Sequence, residues 1–287
     1  MSKIIFSVDS GCDIPQSLID SNNIYVVNFP ITMGGKEYRD RVDINPQMIY
    51  DYADNHKDLP KTSAVNAQEH IDHFNAIREK EGDCEIIHTA ISDGVSLTYK
   101  EALKAVEEVK DVFLIDSCTL SSGIALLVLH AIDLANEGKS AKEIYDICQQ
   151  KAKKDLVQTS FVIETLTYLY KGGRCSALKL LGANLLKIRP TVKLIKGKIE
   201  PVDKMKGKPT EVVKRYVQKL KEEYGDRIDT TRAFVTNSLS DPGYEDEPLK
   251  MVKEMFGFKE VIHQIAGSTI TTHCGKNTLG VLFMLKE

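Results

Sequence analysis

The sequence predicts an α/β protein in two parts: a doubly wound parallel-sheet domain over residues 1–155, then a second α/β domain with a mixed sheet over residues 156–287. Three observations carry this. In the first half, short β-branched runs end in turn residues and alternate with helix-periodic segments, as in strands joined by crossover helices. In the second half, strand-like runs predominate and one pair is joined by a Lys-Gly turn, the mark of a hairpin. Finally, a chain of 287 residues, 42% hydrophobic and 28% charged, lies near the size at which one core gives way to two.

Taken in order, "KIIFSV", "IYVVNF", "EIIHTAI" and "DVFLID" are the strands of the first sheet. After "EIIHTAI", the recurrence of Tyr99, Ala102, Leu103, Val106 and Val109 at three- and four-residue steps predicts a helix with one buried face. The segment 122–135 is apolar nearly all round, so it should be a helix packed in the interior, stopped by Gly138. "SAKE" at 140–143 reads as a capping box opening another helix. Beyond the boundary, "LVQTSFVI" leads into a short helix ending at "KGGR", and "KLIKGKIEPV" is the hairpin. A helix is expected from Pro209 to Tyr224, where proline suits the first turn. "RAFVTNS", "KEVIHQIAG" and "LGVLFML" complete the mixed sheet.

Charge and cysteine usage narrow the function. A net charge of −3 argues against nucleic acid as a partner. Six cysteines, at 12, 84, 118, 148, 175 and 274, form no Cys-x-x-Cys pair, which disfavours a zinc knuckle or a disulfide scaffold and suggests reduced thiols. No secretory leader is legible, and the most apolar stretch, "IALLVLHAI", is too short to span a bilayer. A cytoplasmic protein without metal or cofactor is expected.

Several motifs compete for the chemistry. "VDSGCD" and "IDSCTLSSG" both follow strands, where loops at the carboxyl ends of a parallel sheet hold ligands, although Asp and Ser could equally cap the next helices. Cys12 lacks the downstream arginine of a phosphatase loop. "GKNT" at 275–278 misses the first glycine and the final hydroxyl of a phosphate loop. His70 and His73 share a helix face without a third metal ligand, so a solvated face is the simpler reading. Thr62, in the polar loop "KTSAVN", and Ser96, in "ISDGVSLTYKEA", precede helices, where they can cap or help hold an anion.

Those segments, with "ETLTYLYKGGRCS" and "TTHCGKNTLG", follow one another in an order that resembles the DegV family of bacterial proteins that bind long-chain fatty acids. The resemblance implies two α/β domains, a buried acyl chain, and a carboxylate held by Thr62, Ser96 and His273. It also implies a separate fatty-acid kinase that converts the bound acid to an acyl phosphate for phospholipid synthesis. Arg174, in Gly-Gly-Arg, is then associated with the partner reaction, and the acid would be drawn from a membrane by transient contact. Five positions depart from the family pattern: Leu97 for glycine, Cys274 for threonine, Lys276 and Asn277 for Pro-Gly, and Cys175 for an aliphatic residue.

Two other readings compete. One is an α/β enzyme acting on a small carboxylate or phosphate, with Ser96 or Cys12 as nucleophile and His273 as base. The other is a regulatory protein for which lipid is the signal.

Overall fold

The computed structural model describes residues 2–174 and 188–287, so Cys175 lies outside the described residues. The first part runs β1 (Lys3–Asp9), α1 (Gln16–Ser21), β2 (Tyr25–Val27), β3 (Pro30–Met33), β4 (Lys36–Arg39), α2 (Pro46–Asn55), β5 (Lys61–Thr62), α3 (Ala67–Glu81), β6 (Cys84–Ala90), α4 (Thr98–Glu108), β7 (Val112–Asp116), α5 (Ser122–Asn136) and α6 (Ala141–Lys153). There follow β8 (Val157–Gln158), β9 (Ser160–Val162), α7 (Thr167–Gly172), β10 (Ile188–Ile195), β11 (Lys198–Lys206), α8 (Pro209–Tyr224), β12 (Ile228–Asn237), α9 (Asp246–Phe256), β13 (Glu260–Ile265), α10 (Ser268–Cys274) and β14 (Leu279–Leu285).

The predicted α/β class stands. Strands β2-β1-β6-β7 form a parallel sheet. Because side chains alternate across a strand, Ile5 and Ile86 meet Phe74 and Ile77 of α3 and Ala105 of α4, while Phe6, Val8, Ile87 and Ile115 meet α5 and α6 on the other face. The second sheet is mixed, in the order β11-β10-β9-β14-β12-β13, with β8 beside β14. Its outer face carries Val162, Val235, Val281 and Phe283 against α8 and α9. Its inner face carries Phe234 and Leu282 into the same apolar cluster as α5. Helix α5 therefore lies between the two sheets, touching β1 and β6 on one side and β8, β12 and β14 on the other. That position explains why its sequence has almost no polar face.

Local signals behave as expected. Ser140 and Glu143 make the capping box of α6, Pro209 opens α8, and Lys196 and Gly197 take the two positive-φ positions that a tight hairpin turn needs. Within α4, Ala102 is buried but Leu103 is exposed.

Two expectations need correction. Thr62 is not in a polar loop capping a helix: it belongs to β5, pairs with Ile31 in a third sheet of order β4-β3-β5, and leaves Asn66 with Glu69 to form the capping box of α3. Nor do His70 and His73 form a solvated face. His70 is fully buried, and Ser7 Oγ lies 2.7 Å from His73 Nε2 and 2.8 Å from His88 Nδ1. Their rings pack edge-on against His88 and tilted against Phe74. Among the described residues, no group of His, Cys, Asp and Glu is placed to hold a metal ion.

This cluster sets an acid limit. Burial lowers the pKa of all three imidazoles, that of His73 to about 4; His70 also disfavours charge on His73, and both disfavour it on His88. In the unfolded chain the same histidines titrate near the ordinary value of about 6.5. At these histidines protons therefore bind preferentially to the unfolded state between those two pKa values, and their contribution to stability falls as pH drops from about 6.5 toward 4. Buried Asp9 and Asp13, raised to about 7, contribute the opposite slope over the same window, so in thermal melts the histidine contribution is read as the difference in acid slope between native protein and His73→Gln. For His73 alone the loss is on the order of 2 to 3 kcal/mol. If His73→Gln leaves the acid slope unchanged, the cluster is not its source.

Candidate functional site

The carboxyl ends of the parallel strands are tied together before any ligand is considered. Asp9, at the end of β1, accepts from the backbone N–H of Gly11 at 2.9 Å and of Ile91 at 2.6 Å. Asp116, at the end of β7, accepts from Cys118 N at 2.9 Å and Asp93 N at 3.3 Å. Neither aspartate caps a helix. Together they grip the loop after β6 from both sides, and that loop carries Ser96 into α4. Ser96 does act as a local cap, accepting from Thr98 N at 3.2 Å, while its side chain also lines a cavity between the sheets.

Helix α10 brings the C-terminal segment to the same place. Three N–H groups of its first turn point at two buried carboxylates: Gly267 N donates to Asp13 at 2.7 Å, and Ser268 N and Thr269 N to Asp40 at 3.1 and 3.2 Å. The unsatisfied donors of the helix start are thus taken up by carboxyl oxygens, with Asp13 raised by burial to about 7 and so only partly ionised at neutral pH. The other end of α10 presents His273, whose Nε2 lies 2.8 Å from Thr62 Oγ1. Two residues 211 apart in sequence thus form one polar pair.

Gly172 explains how the imidazole fits. A Cβ at this position would stand 2.4 Å from His273 Nδ1, so the ring rests directly on the glycine backbone. Gly173 has a different task. At φ +69° it takes the left-handed position that ends α7. The Gly-Gly pair is therefore a helix stop at its second residue and a ring platform at its first.

The ring is uncharged at neutral pH, because burial first, and the neighbouring Arg174 second, lower its pKa to about 3. Nδ1 is buried and has no hydrogen-bond partner among the described residues. An N–H there would be a stranded donor, so the economical tautomer has the proton on Nε2, donating to Thr62 Oγ1. The Thr62 hydroxyl proton is then free to donate onward.

Thr62, Ser96, Arg174 and His273 all line one cavity. Arg174 is half-buried there; it donates to Gly172 O at 2.7 Å and also borders an outer recess with Leu97 and Lys198, instead of standing on a separate surface turn. The rest of the wall is mainly aliphatic and aromatic, including Phe29, Ile91, Leu120, Phe161 and Ile163. Among the polar wall residues that escape sequence reading are Ser121 and Thr269. Ser121 takes φ +56° and bonds to Asp13, and Thr269 has a buried hydroxyl with no partner among the described residues. The doubled serine in "TLSSG" was the available signal for the first; nothing in the local pattern marks the second.

The competing catalytic constellation does not assemble. Cys12 is fully buried and its thiol is pushed well above the usual range by burial, so thiolate is disfavoured. Ser96 Oγ pairs with Thr98 Oγ1 at 3.0 Å, while the imidazole that would serve as its base pairs with Thr62. "GKNT" follows the C-terminus of α10 and runs into β14, the reverse of a phosphate loop, which must open a helix. The departures from the family pattern are readily accommodated. Leu97 has right-handed helical φ and ψ, which require no glycine; Asn277 adopts φ +55° and donates to Glu164 and Asp241; Cys274 is buried at the end of α10; Lys276 lies 3.6 Å from Asp54.

A family model described as "Uncharacterised protein, DegV family" matches residues 3–286. The chain belongs to the DegV family. A DegV domain-containing protein of Staphylococcus aureus (strain COL) is 30% identical over 289 residues, and one of Clostridium acetobutylicum 32% over 296 residues, each match covering 100% of both chains. Among solved structures, a Thermus thermophilus DegV family protein described by its fatty-acid binding superposes with TM-score 0.89 at 24% identity, covering 99% of this chain and 100% of that one. DegV of Bacillus subtilis, described as a fatty-acid-binding protein, gives 0.83 at 22% identity over 100% of both. A Eubacterium eligens DegV protein loaded with heptadecanoic acid gives 0.84 at 20%, covering 99% of this chain and 100% of that one. At these identities the structural likeness establishes the DegV fold.

Proposed function

We propose that this DegV protein binds a long-chain fatty acid and presents its carboxylate to a separate fatty-acid kinase for acyl-phosphate formation. The observation that carries the proposal is the cavity itself: hydroxyl and imidazole groups of Thr62, Ser96 and His273 lie on the wall of an otherwise largely apolar chamber. The fatty acids described in related DegV structures support the same ligand class. Residues 1–155 supply Thr62 and Ser96, residues 156–287 supply His273 and Arg174, and this two-part division belongs to the proposal.

The energetics divide the labour. Burying methylenes contributes about 0.8 kcal/mol each, so an acyl chain of about sixteen carbons supplies on the order of 12 kcal/mol before ordering costs. The head group contributes orientation, since a carboxylate taken out of water without donors is costly. Thr62, Ser96 and the orphaned Thr269 hydroxyl provide such donors.

Mass spectrometry of ligand released from purified, denatured protein is the direct test. A near-stoichiometric long-chain acid is expected, and protein that neither carries nor takes up such an acid would overturn the reading. Thr62→Ala or Ser96→Ala should weaken retention by about 1 to 3 kcal/mol with the fold intact, the range for losing a hydrogen bond to a charged group.

A further inference from the structure

Four residues belong to two spaces at once. Val95, Ser96, Arg174 and Ile199 line the cavity between the sheets and also the outer recess that contains Leu97 and Lys198. Among the described residues they form the partition between the interior and solvent. Ser96 and Arg174 are its polar members and Val95 and Ile199 its apolar ones, so an acid whose carboxylate reaches Ser96 has its head group at this partition. A recess before α10 shares one wall residue with the cavity, Ala266, but there the buried carboxyls of Asp13 and Asp40 hold the first turn of the helix, a costly passage for an apolar chain.

Val95 and Ile199 come from segments far apart in sequence, and a buried contact joins those segments beside them. Ile199 is on β11, two residues after Gly197 at the tip of the β10–β11 hairpin. Val95 lies in the loop after β6, three residues after Ser92. Ser92 Oγ donates to Gly197 O at 2.7 Å and accepts from Gly94 N at 3.1 Å. A Cβ at Gly94 would overlap Gly197 O and stand 2.9 Å from its carbonyl carbon, so the two backbones meet with no room for a side chain between them. Hairpin tips ordinarily face water; Gly197 is buried. The loop that carries Ser96 and the hairpin that carries Ile199 are thus fastened to each other at the rim of the partition.

We propose that the acid passes between cavity and recess at this partition, and that the contact of Ser92 with Gly197 is the latch that sets how fast it does so. This rests on the fatty-acid reading above. Parting Val95 from Ile199 takes the hairpin tip off the loop, which breaks the Ser92 hydrogen bond in the empty and the loaded protein alike. A contact present in both end states and absent during passage slows entry and exit by the same factor and leaves the equilibrium unchanged. The cavity wall sets affinity, and the latch sets exchange.

The test follows entry and exit of a fluorescent long-chain fatty acid by stopped flow in delipidated full-length protein, with equilibrium affinity measured in parallel. Ser92→Ala, which removes the donor, should raise both rate constants by on the order of tenfold and leave the dissociation constant within about twofold of native. Gly94→Ala, whose methyl would push the hairpin tip off the loop, should act in the same direction and more strongly. Ser92→Ala carries the test if Gly94→Ala does not fold, since it adds no atom to the seam. Faster exit with unchanged entry and weaker binding would mean that the contact merely supports the loaded site, and would overturn the latch. Unchanged rates in the folded variants would overturn it too, and both results leave the carrier reading intact. Failure of native protein to bind the acid at all would overturn the carrier reading, and the latch with it.

Discussion

Gly172→Ala is expected to weaken carboxylate retention about as much as His273→Ala, although Gly172 carries no functional group. The reason is the 2.4 Å separation between a Cβ there and His273 Nδ1, far inside contact distance. The imidazole cannot retreat freely, because α10 is held at its first turn by Asp13 and Asp40. The ring must swing away from Thr62, and the 2.8 Å pair is lost. The loss should be about 1 to 3 kcal/mol, or roughly five- to 150-fold in affinity. The diagnostic is the double variant. With alanine at 273 the new methyl has nothing to strike, so Gly172→Ala combined with His273→Ala should be no worse than His273→Ala alone. Additive losses, or normal binding by folded Gly172→Ala, would sink the platform argument. His70→Ala and His73→Ala, remote from the cavity wall, should retain the acid better than His273→Ala.

How much of this was legible beforehand follows from the range of each signal. Elements defined by their own residues were readable: the capping box at Ser140 and Glu143, the proline opening α8, the Lys-Gly hairpin and the apolar α5. Those that depend on distant partners were not. Helix α10 is short and threonine-rich, a poor helix by propensity, and its first turn is stabilised by carboxylates more than 200 residues earlier. Thr62 lies on a two-residue strand that only its pairing with β3 defines. The burial of His70 is not legible because a histidine on a helix looks the same in sequence whether it faces water or, as here, another histidine on β6.

The site shows the same division. Family resemblance singled out Thr62, Ser96, Arg174 and His273, and the fold brings all four to one cavity. What no local pattern could supply was the support beneath them: the glycine under the imidazole and the aspartates under α10. Each is a contact between segments far apart in sequence, and each involves a residue whose type has a simpler local explanation.

The remaining expectation is that this protein with ATP and magnesium yields no acyl phosphate until a fatty-acid kinase is added. Phosphoryl transfer requires the nucleotide and its metal to be held in line with the attacking oxygen. Here the "GKNT" segment, which superficially suggests a phosphate cradle, sits at the wrong end of a helix, while the cavity wall offers hydroxyls suited to holding the acceptor carboxylate. Chemistry would then occur where the carboxylate meets a partner surface. Arg174 is placed for that second step, since it borders both the cavity and the outer recess that contains Leu97 and Lys198. Burial lowers its pKa somewhat, but a guanidinium remains charged at neutral pH and can face an incoming phosphoryl group. Arg174→Ala should therefore lower kinase-coupled turnover by on the order of tenfold or more, the scale of removing one charge-stabilising donor, with a smaller effect on fatty-acid affinity. Lysine at 174 should restore part of the rate, having charge without the planar fork. Acyl phosphate formed by the purified protein alone would reject the carrier role. Undiminished turnover with Arg174→Ala would reject only the arginine's part in it.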